Sequence, residues 1–316
     1  MQVTSPWAAL ARASAVAGVV LLMMACGSDS TNPGDAGITQ DQLSVIGDGI
    51  ATEVEGSASL MTVFEVTHPS QAVRRVRDAV PGAPLLALSR VLRAAAPSSC
   101  PSVAPASPVD GDHDGVPDQA TLTFTLPDCQ ATDQSGDSLK ITGTITLSDP
   151  APSDSSVASN GKATDFTIDF LSSQGVELLN TSRSGLWTTT PADNGLSQDY
   201  QMHSTVSVSG VPALDITTGW TSVFTPQTRS SVFMGSELPL GSLSVSGPIS
   251  VNDGLDAFTM NMETTVPLQY DAQGCASKTT SFTGGEAHAT FSGATKGYVK
   301  VVWANCDLPT YTYVPQ

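Results

Sequence analysis

The nine residues Asp110-Gly111-Asp112-His113-Asp114-Gly115-Val116-Pro117-Asp118 mark the point where the pattern of the sequence changes. Their carboxylates stand at relative positions 1, 3, 5 and 9, with a glycine at position 6. Before this stretch apolar residues recur at helical spacing, and after it they alternate with polar residues. The stretch therefore divides the chain into a helical part and a longer β part.

The same nine residues predict a metal site. Carboxylates this crowded repel one another unless a cation lies among them. Calcium takes about six to eight oxygen ligands, backbone carbonyls included, and Gly115 allows the sharp turn because glycine adopts φ > 0 at little cost. The alternative is a solvated acidic turn. The predicted ligands of a structural calcium ion are the side chains of Asp110, Asp112, Asp114 and Asp118 and the backbone carbonyl of Val116.

The spacing D-x-D-x-D-G-x-x-D resembles the calcium loops of thrombospondin type 3 repeats and the first part of an EF-hand loop. The resemblance covers these nine residues. Position 12 is Thr121 where an EF-hand has a bidentate glutamate, and a strand pattern follows in place of an amphipathic helix. The resemblance thus implies a structural calcium loop of the kind found in extracellular modules.

From residue 120 to residue 316 the sequence predicts a β domain. Apolar residues alternate with polar ones in successive runs, which indicates an antiparallel sheet with one solvated face. Turn clusters such as Asn160-Gly161 and Gly284-Gly285 separate the runs. The fold class is mainly β, an antiparallel meander forming a curved sheet, a sandwich or a half-open barrel, preceded by a short helical segment.

The helical segment is predicted over residues 39–97. Thr39 and Gln42 have the spacing of a capping box. Gly47, Gly49 and Gly56 lower the helix propensity of the run that follows. Residues 98–119 then form a linker that contains the acidic loop. The apolar positions at helical spacing are Leu43, Ile46, Ile50, Val54, Ala58 and Met61.

The first residues predict export and lipid anchoring. Residues 1–25 combine Arg12 with an apolar run, as a signal peptide does. The run ends Leu22-Met23-Met24-Ala25-Cys26, which resembles a bacterial lipobox and implies acylation of Cys26. Residues 26–38 would be a flexible tether. By analogy with Gram-negative sorting, Gly27 after the cysteine favours the outer membrane.

The cysteine count agrees with export. Removing Cys26 from five leaves four cysteines, and an even number in an exported chain indicates disulfides. Three pairings are open. The pairs nearest in sequence, Cys100–Cys129 and Cys275–Cys306, are favoured. Zinc is the alternative, but no C-x-x-C spacing supports it.

Charge and motifs limit the functions. A net charge of −17 disfavours nucleic-acid binding, which needs clustered basic residues. The sequence has no G-x-S-x-G, H-E-x-x-H or P-loop motif, so we expect no enzyme and name no catalytic residue. The expected role is that of a non-enzymatic cell-envelope lipoprotein. Its expected partners are the membrane, through the lipid anchor, and another envelope protein. The alternative is a carrier for a hydrophobic ligand such as lipid, lined by Trp220, Phe258, Met260 and Met262.

Overall fold

The computed structural model describes residues 37–61, 100–114, 116–132, 136–155, 158–208, 213–228, 238–271, 274–275 and 280–316. Several predicted features lie outside these residues. They are the signal peptide, Cys26 with most of its tether, the helical pieces after residue 61, and Gly115.

All strands of the described residues belong to one antiparallel sheet. The strands are β1 (Ser102–Ala104), β2 (Gln119–Phe124), β3 (Gln130–Thr132), β4 (Ser138–Ser148), β5 (Ser159–Leu171), β6 (Glu177–Ala192), β7 (Gly195–Val208), β8 (Leu214–Pro226), β9 (Gly241–Asn252), β10 (Ala257–Tyr270), β11 (Phe282–Phe291), β12 (Tyr298–Ala304) and β13 (Thr310–Val314). Twelve of them follow the order β1-β2-β4-β5 and onward to β13, and β3 pairs with β4. The predicted antiparallel meander is confirmed, as a single sheet that does not close.

The alternation seen in the sequence becomes the inner face of this sheet. Along β8, alternate residues from Ile216 through Trp220 to Phe224 are buried, whereas the residues between these alternate positions are more exposed. Met260 and Met262 continue the same face on β10. Successive side chains of a strand point to opposite faces, so one face of each strand forms the core and the other meets solvent.

One helix, α1 (Gln40–Leu60), packs on the inner face. It begins with the predicted capping box: the Gln42 backbone N–H donates to Thr39 Oγ1 (3.2 Å), and the Thr39 backbone N–H donates to Gln42 Oε1 (2.8 Å). Its predicted apolar positions, Leu43, Ile46, Ile50, Val54, Ala58 and Met61, are all buried. Within the described residues, no helix is both long enough and apolar enough to cross a membrane.

The sheet curls around this helix. Gly47 faces the ring of Tyr311 on β13, whereas Gly49 faces Ile216 on β8 and Val251 on β9. Residues two positions apart in an α-helix point about 200° apart. Strands five places apart in the sheet therefore contact opposite sides of the same helical turn, and the helix fills the concave face.

Two disulfides secure the ends of the sheet. Cys100 pairs with Cys129, and Cys275 pairs with Cys306. Both favoured pairings are confirmed. Cys100 lies just before β1, and Cys129 lies in the connection between β2 and β3. Cys275 lies in the connection between β10 and β11, and Cys306 lies in the connection between β12 and β13. Each covalent loop thus encloses neighbouring strands of one edge region.

Candidate metal centre

The acidic loop connects β1 to β2, and its carboxylates are fixed by its own backbone. The backbone N–H of Asp114 donates to Asp112 Oδ1 (3.2 Å), and that of Val116 donates to Asp114 Oδ1 (2.7 Å). The N–H of His113 donates to Asp110 Oδ1 (2.8 Å). Short polar side chains hold tight turns in this way. His113 itself is exposed and has a left-handed φ of 66°.

These bonds bring three of the predicted ligands together. One carboxylate oxygen each from Asp110, Asp112 and Asp114 lie within 4.8 Å of one another. Asp118 closes the loop: its N–H donates to the Val109 carbonyl (2.8 Å), and its Oδ1 accepts from the Gly111 N–H (2.9 Å). Asp118 thus directs its carboxylate toward the beginning of the loop. Val116, the fifth predicted ligand, lies in the loop and is buried.

A further carboxylate, which the sequence did not suggest, stands at the same place. In the β2–β4 pairing, Gln119 lies opposite Ser148, so Asp149 follows directly opposite Asp118. The Asp149 N–H donates to the carbonyls of Pro117 (3.2 Å) and Asp118 (3.3 Å). No local spacing links residue 149 to residues 110–118. Only the strand register places it there.

Three buried carboxylate oxygens in or beside the loop have no hydrogen-bond partner in the part of the chain that the structure describes. Asp114 and Asp149 are 2% and 6% exposed. Oδ2 of Asp112, Asp114 and Asp149 is buried, with no hydrogen-bond partner among the described residues. Burying an acceptor without a partner is unfavourable. A cation held by Asp110, Asp112 and Asp114 would give the buried oxygens of Asp112 and Asp114 a partner.

The electrostatics of the cluster also favour a cation. Burial raises the pKa of Asp114 to about 6, and the neighbouring carboxylates of Asp112, Asp149 and Asp110 raise it as well, against a hydrogen bond from Val116 that lowers it. Burial likewise raises the pKa of Asp149, and the carboxylates of Asp112, Asp118 and Asp110 add to the effect. Such oxygen-only donor sets suit hard cations such as Ca²⁺ and Mg²⁺. The residues present therefore fit the predicted ion.

A second buried polar cluster lies between the helix and the sheet. Glu53 of α1 forms an ion pair with Arg183 of β6 (Nη2 to Oε1, 2.8 Å) and accepts from the Tyr200 hydroxyl of β7 (2.8 Å). The Arg183 Nε–H donates to Ser204 Oγ (3.1 Å). Burial alone would lower the pKa of the Arg183 guanidinium, but the adjacent Glu53 carboxylate raises it above its ordinary value. The cluster ties the helix to the sheet.

The side chains considered for a hydrophobic ligand lie in the core. Trp220, Met260 and Met262 are at most 2% exposed, and Phe258 is 9% exposed. All four belong to the same buried cluster as the apolar residues of α1. These four side chains and the helix are therefore parts of one packed core.

No family model matches the chain. Searches of curated proteins and of solved structures likewise return no significant match. Function is therefore inferred from this chain's own residues.

Proposed function

We propose that this chain is a non-enzymatic lipoprotein of the cell envelope whose β domain is braced by a calcium ion in the acidic loop. The observation that carries the proposal is the buried Oδ2 atoms of Asp112 and Asp114, which have no hydrogen-bond partner among the described residues. Both belong to the carboxylates whose oxygens converge within 4.8 Å. The ion would be a structural one that stabilises the beginning of the sheet.

The donor chemistry favours calcium over magnesium. Mg²⁺ requires near-ideal octahedral geometry at about 2.0–2.1 Å and tends to retain several waters. Ca²⁺ accepts more oxygens at longer and more variable distances. A loop that concentrates several carboxylates, with a backbone carbonyl expected from Val116, suits the larger and less demanding ion.

Two observations support a location in the cell envelope and a non-catalytic role. The two disulfides are typical of an oxidising compartment outside the cytoplasm, in agreement with the lipobox-like sequence at Cys26. In the core, Glu53, Arg183 and Tyr200 bond to one another and hold the helix in place. These groups would stabilise the packing of the helix on the sheet. The protein would act through its surface contacts and its anchor.

Calcium titration of the full-length protein, exported and purified without chelator, tests the proposal. We expect one ion to bind and the melting temperature to be higher in calcium than in chelator. Asp112→Asn keeps the acceptor for the Asp114 N–H but removes one charge, so it should abolish most of the calcium-dependent rise. Asp193→Asn removes the same charge from an exposed residue in the turn between β6 and β7 and should leave the rise unchanged.

Wild-type protein that binds no calcium would overturn the proposed site. So would equal stabilisation by calcium of the wild type and the Asp112→Asn variant, because the loop would then not be where the ion acts.

A further inference from the structure

We propose that Asp149, at the end of β4, is a further ligand of the ion held by the acidic loop, so that the metal joins the β1–β2 connection to the β4–β5 connection. The inference rests on the proposed calcium site. It goes beyond the loop because Asp149 lies outside it in sequence. The ion would then bridge two separate segments of the sheet.

Strand register places Asp149 beside the loop. β2 and β4 pair from Gln119 with Ser148 to Phe124 with Gly143. The Asp149 N–H extends this ladder by donating to Pro117 and Asp118. The two connections also touch at Gly111, where a Cβ would lie 3.1 Å from the carbonyl oxygen of Pro152. The backbone thus brings Asp149 to the mouth of the loop.

The Asp149 carboxylate has the same arrangement as Asp112 and Asp114. In each of the three, Oδ1 accepts the backbone N–H of the residue two positions later, at 3.2 Å for Asp112, 2.7 Å for Asp114 and 2.7 Å for Asp149. In each, Oδ2 is buried without a hydrogen-bond partner in the described part of the chain. A side chain only 6% exposed has little access to water for that oxygen. Metal coordination would satisfy it.

Asp149 also brings the number of ligands to what calcium requires. Its backbone N–H is bonded to the carbonyls of Pro117 and Asp118, the last residues of the loop. Adding Asp149 to the four loop aspartates and the Val116 carbonyl gives six protein ligands, at the low end of the about six to eight that calcium takes. The protein alone would then supply the number of ligands that calcium requires.

The Asp149→Asn variant tests the assignment in the full-length protein. The amide keeps an acceptor for the Ala151 N–H but removes the charge, and calcium affinity depends on ligand charge. We expect calcium binding to weaken by about tenfold or more. In chelator we expect the melting temperature to stay level or rise, because one of several repelling charges is gone. Asp193→Asn is the matched control and should bind calcium as the wild type does.

A second variant, Asp149→Ser, separates the loss of a metal ligand from the loss of a hydrogen bond in the turn, because serine also accepts backbone hydrogen bonds in turns. Terbium luminescence in H₂O and D₂O counts the waters on the bound ion. We expect at least one more water in Asp149→Ser than in the wild type.

The outcomes separate this inference from the proposal on which it rests. If the wild type binds neither calcium nor terbium, the calcium site itself is wrong. If the wild type and both Asp149 variants bind calcium equally, with equal numbers of waters on terbium, the loop holds the ion without Asp149 and this inference is overturned.

Discussion

At the scale of single residues, the pair Glu53 and Arg183 joins the helix to the sheet through a buried ion pair. Glu53 is fully buried and Arg183 is 5% exposed. Removing one partner of such a pair leaves an uncompensated charge in the core, whereas replacing both by apolar residues is often nearly neutral. Their contribution is therefore strongly non-additive.

We expect Arg183→Met to lower the free energy of unfolding by about 3–5 kcal/mol, because Glu53 then keeps only the Tyr200 hydroxyl as a hydrogen-bond donor from the cluster. The double variant Glu53→Met/Arg183→Met should cost less than Arg183→Met alone. Urea unfolding of Glu53→Met, Arg183→Met and the double variant measures both effects. Costs that simply add would show that the two side chains act independently.

The acidic loop and Asp149 show what sequence can and cannot predict at this scale. Asp110, Asp112 and Asp114 could be assigned to one site because alternate residues of a tight turn are close whatever the rest of the fold does. Asp149 could not, because its position depends on which residues of β2 and β4 pair, and a shift of register by one residue would turn its side chain to the other face. Glu53 and Arg183 depend in the same way on long-range packing.

At the scale of elements, the sequence of α1 reflects its position against the concave face of the sheet. The spacing of its apolar residues and its capping box are local features, and they predicted both its position and its beginning. Its glycines looked unfavourable, since each lowers helix propensity. The structure supplies the reason: a Cβ at Gly47 would lie 2.3 Å from Cγ of Tyr311, and one at Gly56 would lie 2.8 Å from the Arg183 guanidinium nitrogens. Gly47 and Gly56 let the side chains of Tyr311 and Arg183 approach the helix closely.

Gly47 and Gly49 make a matched pair for testing this explanation. Alanine should add about 0.8–1 kcal/mol of helix propensity at either position. At Gly49 a Cβ would make contacts of 3.4 Å with Ile216 and Val251, so Gly49→Ala should be neutral or stabilising. Gly47→Ala should destabilise by about 1–3 kcal/mol because it collides with the Tyr311 ring. Thermal or urea unfolding measures the difference.

The Tyr311→Ala background provides the control. With the ring removed, Gly47→Ala should no longer destabilise. If it still does, the cause lies in the helix and not in the approach of β13.

At the scale of the whole molecule, neighbouring strands in sequence are also neighbours in the sheet from β4 to β13. Period-two alternation and turn residues are local, so the meander was predictable from the sequence. A curved sheet was among the predicted forms, but the position of α1 inside the curve was not predicted, because it depends on how many strands contact one helix. The membrane anchor proposed at Cys26 would hold this assembly at a lipid surface.

Anchoring can be tested in cells of a Gram-negative host. We expect the wild-type chain to take up labelled palmitate and to fractionate with membranes, because acyl chains provide stable attachment. Cys26→Ser should lose the label. A variant lacking the Cys275–Cys306 disulfide should keep it, since that bond lies far from the anchor in sequence. Labelling of Cys26→Ser equal to that of the wild type would contradict the proposed lipobox.

The enclosed helix also imposes an order of events during biosynthesis. Residues 40–60 leave the ribosome before any strand of the sheet that later surrounds them. Their apolar side chains therefore lack part of their final surroundings until β13 has been made and can bring Tyr311 against Gly47. During that interval the segment is a natural target for a chaperone that holds exposed hydrophobic chains. The helix is thus made before every strand that surrounds it.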